Sequence, residues 1–133
     1  RMVYREMFDL IENLRTVTTD RQANNDRLAK GFSRLSGAAE NYVRTELRKA
    51  PPNVVGATKT VQVKVRSALR LTGKSWQIDW EERSFNLGGI ETGVELWRAT
   101  VQYGLEPSSE AKEIPKNPIG FKVPEMSWQK VVQ

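Results

Sequence analysis

Val3, Met7, Leu10, Leu14 and Val17 recur at alternating steps of four and three, with Tyr4, Phe8 and Ile11 beside them. This spacing predicts an amphipathic first helix with a broad apolar stripe. Thr18, Thr19 and Asp20 supply turn and capping chemistry. Leu28, Phe32 and Leu35 then repeat the helical step over a second helix that Asp20 caps and Gly37 breaks. A third helix is expected over about residues 38–49, with Ala39, Tyr42, Val43 and Leu47 on one side. It ends before Pro51 and Pro52, because proline lacks a backbone donor and restricts the residue ahead of it.

Beyond Gly56 the period changes to two. Val61, Val63, Val65, Leu69 and Leu71 fall on one face of a long strand, and Gln62, Lys64, Arg66 and Arg70 on the other. Thr72, Gly73 and Lys74 make a hairpin turn, after which Trp76, Ile78 and Trp80 point in while Gln77, Asp79 and Glu81 point out. Asn86 to Gly89 form the next turn, and Trp97, Ala99, Val101, Tyr103 and Leu105 share one face of a third strand. A proline-bearing loop, Glu106 to Pro118, leads to a last strand over Ile119 to Val131. Pro124 there requires a sheet edge or a bulge. The expected architecture is α+β: three N-terminal helices, about residues 2–50, covering the aromatic face of a four-stranded antiparallel sheet, about residues 57–131. Trp76, Trp80 and Trp97 are expected in that core.

Composition narrows the functions open to such a domain. With 133 residues, 38% hydrophobic and 28% charged, the chain is long enough for one well-buried core and is not disordered. It contains no His and no Cys, which removes the usual neutral-pH base, the commonest zinc ligands, thiol nucleophiles and disulfides. Zero cysteines fit a reducing or an oxidising compartment equally. The net charge of +5 favours anionic surfaces, but basic residues are interleaved with acids from Arg1 to Lys130 rather than gathered in a block, which argues against direct nucleic-acid binding. Lys64, Arg66 and Arg70 on the outer sheet face are the remaining candidates for it, and they lack interleaved aromatics for stacking.

Other motifs have plain structural readings. Residues 68–75, ALRLTGKS, match a relaxed phosphate-loop pattern, yet a phosphate loop must open a helix and here the chain continues as a strand. Among Asp79, Glu81 and Glu82, only Glu82 shares the inward phase, and Arg83 beside it is expected to compensate its charge. A catalytic Glu82 would need a roomy cavity and partners that the sequence does not supply. The stripe around Val3, Tyr4, Met7 and Phe8 is wider than a small sheet needs; ordinary core packing is its first reading, and contact of part of it with another chain the second. Asn117, Pro118, Ile119 and Gly120 form a turn at the mouth of an edge strand, a natural docking corner.

The stretch NPIGFKVPEMSW resembles the NPxG corner and following strand of the TrbF-type components of bacterial conjugation machines. FDLIENLRTVTTD resembles that family's first helix, VQVKVRSALRLTGKSWQIDWEER its paired strands, and ELWRATVQYGLEP its third strand; residues 20–56 match weakly. The resemblance implies a single periplasmic domain, residues 1–133, with a nuclear-transport-factor-two-like fold. It implies a bacterial inner-membrane protein with one membrane helix upstream of Arg1, working as a scaffold of a type IV secretion system rather than as an enzyme, and with no cofactor or metal. Its implied partners are other secretion subunits and further copies of itself, met through the first helix and through Asn117, Pro118 and Gly120, with Ile119 at the variable position. A cone-shaped ligand-binding or enzymatic domain of the same fold is the alternative.

Overall fold

The structure is a computed structural model and describes residues 2–105 and 120–132. The three expected helices are present as α1 (Met2–Arg15), α2 (Arg21–Phe32) and α3 (Gly37–Lys49). The Asp20 carboxylate accepts the Ala23 N–H at 3.1 Å and caps α2. An additional single turn, α4 (Pro52–Val55), follows at once. Proline is well placed to open a helix because its missing N–H falls among donors that have no intrahelical partner.

Strands β1 (Lys59–Arg70), β2 (Ser75–Asn86), β3 (Glu91–Leu105) and β4 (Phe121–Lys130) form an antiparallel sheet in the order β1-β2-β3-β4. Helices cover one face only. Met7, Leu10, Ile11 and Leu14 of α1, Leu35, and Ala39 and Val43 of α3 pack on Ile78, Trp80, Ala99, Val101, Phe121, Val123, Met126 and Trp128. Each fully buried side chain of this kind contributes about 1.5–3 kcal/mol. Of the three tryptophans expected in the core, Trp80 is fully buried and Trp76 and Trp97 are only partly so.

Two bulges correct the simple alternation. Val65 pairs with Trp80 and Ser67 with Asp79, which leaves Arg66 as an extra residue. One extra residue reverses the faces of everything after it. Ala68 therefore packs inward, while Leu69 and Leu71, expected inside, are 57% and 47% exposed. β4 carries its own extra residue near Pro124, between the pairs Gln102–Glu125 and Gly104–Lys122, so burial passes from Phe121 and Val123 to Met126 and Trp128. Leu105, expected on the inner face of β3, is half exposed.

Both sheet edges are partly occupied. Val17 exchanges backbone hydrogen bonds with Val61 on β1. On β4, Val123 donates to the Arg34 carbonyl and accepts from the Ser36 N–H, while the Tyr42 hydroxyl both accepts from the Trp128 N–H and donates to its carbonyl, each at 3.1 Å.

Candidate interaction surface

The wide stripe of α1 divides in two. Met7 is completely buried and belongs to the core, so the expectation that it meets another chain is withdrawn. Val3 and Phe8 are half-buried, and Tyr4 is 37% exposed. Tyr4 meets Phe8 edge-on at 4.7 Å and stacks over Trp76 at 6.3 Å. Tyr4, Arg5, Phe8, Asp9 and Glu12 outline a shallow depression on the outer side of the helix.

Of the docking corner, Asn117, Pro118 and Ile119 lie outside the described residues. Gly120 is buried immediately ahead of β4 with φ +66°. A side chain with a Cβ is strained in that conformation.

Glu82 is inward-facing, as its phase indicated, and 5% exposed. Its partner is Arg15 of α1 rather than Arg83. Arg15 grips the carboxylate with Nε at 2.7 Å and Nη2 at 3.0 Å, and the Trp80 indole N–H adds a third bond at 2.8 Å. The guanidinium also lies 4.3 Å from the Trp97 ring and 4.9 Å from the Trp128 ring. These groups floor a hollow of about 300 Å³ between α1, α3, α4 and the sheet. The carboxylate thus accepts three hydrogen bonds, two of them charge-assisted, which fix its orientation against α1 and the indole. Nothing in the sequence pointed to Arg15, which lies 67 residues from Glu82. A groove of about 760 Å³ runs between α1 and α2 and mixes acids such as Glu6 and Asp9 with Lys30 and Arg34. Among the described residues, no three acidic side chains are placed together to hold a metal ion.

The outer sheet face is a lattice of opposite charges. Glu81 binds Arg66 at 3.1 Å and Arg83 at 2.7 Å, Arg83 also binds Glu91, and Arg98 binds Asp79. Burial pushes the Glu81 carboxyl up, but the hydrogen bond and charge of Arg83, with those of Arg66, outweigh it and hold the group below the usual carboxylate range. Glu95 behaves likewise: burial raises it, while Lys130 and the Trp97 N–H bring it below its ordinary value. The trio considered for nucleic acid does not assemble. Arg66 is neutralised by Glu81, and the bulge turns Arg70 away, its Nε donating to the Gly73 carbonyl. Residues 72–74 form the hairpin turn before β2, so no helix offers its amides to a phosphate there.

The VirB8 protein family model matches residues 2–131. The chain belongs to the VirB8 family. A conjugal transfer protein TrbF of Rhizobium radiobacter is 28% identical over 130 residues, which is 96% of this chain and 59% of that protein. The chain thus spans about three fifths of its curated relative. Agrobacterium tumefaciens VirB8 superposes with a TM-score of 0.83 at 14% identity, covering 98% of this chain and 92% of that one. The TrwG type IV secretion component of Bartonella birtlesii also gives 0.83 at 14% identity, covering 100% and 94%. These superpositions show the fold alone: three helices on a four-stranded antiparallel sheet, the nuclear-transport-factor-two-like arrangement of VirB8 domains.

Proposed function

We propose that this chain is the periplasmic domain of a single-pass inner-membrane subunit of a conjugative type IV secretion system. It works as a structural and assembly component through self-association and through contacts with other secretion subunits. Family membership across residues 2–131 carries this reading, and the relative named for conjugal transfer supports it. The chemistry agrees. Glu82, the acid best placed for catalysis, is consumed by Arg15 and Trp80, which leaves shaped surface as the means of action. No helix among the described residues is long and apolar enough to cross a membrane; the anchor in this reading is a separate segment of the full-length protein. Anchoring raises local concentration, and weak contacts then suffice.

The contact residues we assign are Tyr4, Phe8 and Val3 on α1, with Asn117, Pro118, Ile119 and Gly120 ahead of β4. Tyr4→Arg and Gly120→Val are the variants to compare, each checked for a retained fold by circular dichroism and thermal melting. Self-association in sedimentation velocity and plasmid transfer by the full-length protein are expected to drop together in Tyr4→Arg. Normal association, normal capture of secretion subunits and normal transfer by a folded Tyr4→Arg protein would refute the assignment.

A further inference from the structure

The β1 edge of the sheet is closed at one point, where Val17 bonds Val61 through both backbone groups. In an antiparallel strand every second residue points its N–H and C=O to the same side. Val61 turns these groups away from β2, so Val63 and Val65 turn theirs away as well. Neither has a backbone partner on that side among the described residues. Backbone polar groups are rarely buried unpaired, so these two donors and two acceptors face water. The side chains of Val63 and Val65 are half-buried and pack against the core.

The outer flank of this edge carries one sign of charge. Residues 59–66 read KTVQVKVR, without an acid. Lys64 is exposed and forms no ion pair among the described residues. Arg66 leaves 53% of its side chain exposed, and the Glu81 carboxylate that binds it also binds Arg83. Val65 lies level with Trp80 and Trp97, roughly 26 Å along the sheet from Leu105, where β3 closes.

An open edge recognises an extended segment that continues the ladder with its main chain and is selected by its side chains. We propose that β1 accepts such a segment from a partner protein, with apolar side chains beside Val63 and Val65 and acidic ones beside Lys64 and Arg66. The β1 strand of a second copy would bring the same cations up to Lys64 and Arg66, a like-charge pairing that is destabilising. The inference deepens the assembly reading, on which it rests, by naming the chemistry of one partner. It uses neither α1 nor the corner ahead of β4.

The test is an NMR titration of the 133-residue domain with a synthetic peptide of about ten residues alternating Val and Glu. The Val63 and Val65 amides are expected to shift and to gain protection from exchange, whereas a peptide alternating Val and Lys should leave them unchanged. Val63→Pro removes one outward donor and no bond of the β1–β2 ladder, so it should weaken binding about tenfold in a protein that still melts cooperatively. Lys64→Glu turns an attractive cross-strand pair repulsive and should weaken binding about fivefold, while Arg21→Glu, at the exposed start of α2, should change it little. Lys64 lies outside the core, so its variant carries the test if Val63→Pro fails to fold. Equal affinity for the two peptides, amide shifts confined to other elements, or equal losses in Lys64→Glu and Arg21→Glu would overturn the proposal. A Val63→Pro protein that loses self-association while keeping peptide binding would assign the edge to a second copy instead. Absent peptide binding alongside intact capture of secretion subunits by the full-length protein would remove this inference and leave the assembly role standing.

Discussion

Replacing Arg15 by Met keeps most of the side-chain volume and removes the charge that pairs Glu82. The Glu82 side chain is 7% exposed and would retain only the Trp80 indole N–H. Breaking a buried pair from one side costs about 3–5 kcal/mol. Arg15 itself is 16% exposed, so water can reach the orphaned carboxylate and the lower end applies. Loss of the cation–ring contacts to Trp97 and Trp128 is offset in part by sulfur–aromatic contacts. We therefore expect about 3 kcal/mol, which at an unfolding entropy of roughly 2.1 cal/mol/K per residue lowers Tm by about 11 °C. Glu82→Gln, still able to accept the Trp80 N–H, is expected to cost about 1–2 kcal/mol, and the double variant scarcely more, a coupling of about 2 kcal/mol. Urea unfolding of the four proteins supplies the cycle. A cost below about 1 kcal/mol for Arg15→Met, or additivity in the double variant, would refute the claim that this pair organises the hollow.

Glu81 predicts an acid-limb effect. Its carboxyl lies below the ordinary value of 4.5 in the fold, so its contribution is present above that pH and lost as the pH falls through the lowered folded value. Glu81→Gln should flatten Tm against pH in that acidic range, and an unchanged slope would count against the charge lattice. At Gly56, an added Cβ would press on the backbone carbonyl oxygens of Thr18 and Pro52, which cannot swing aside. Gly56→Ala should therefore lose about 2 kcal/mol despite alanine's better helix propensity, and a neutral result in urea titration would show that the α1–α2 connection yields.

The three helices and four strands were legible because their apolar periods are long and uninterrupted. Pro124 announced both the edge position and the irregularity of β4, and the phase of Glu82 was readable to the far end of its strand. Leu69 and Leu71 went to the wrong face because a single extra residue at Arg66 leaves no mark in composition yet reverses every later side chain. The start of α4 did carry a signal, since proline stops one helix and opens another with the same missing N–H. Arg15 carried none. A salt bridge between a helix end and a distant strand is a product of packing, and the nearby Arg83 offered a misleading local substitute. Met7 was grouped with the residues that could meet another chain because a stripe's width cannot tell which of its rows the core will claim.

The Tyr42 hydroxyl and the Arg34–Ser36 backbone use up hydrogen-bonding groups along the free side of β4, where another strand would otherwise attach. Strand addition at this edge is thereby discouraged even where many copies crowd together. Along this edge, only side-chain patches of finite area remain for a neighbour to meet.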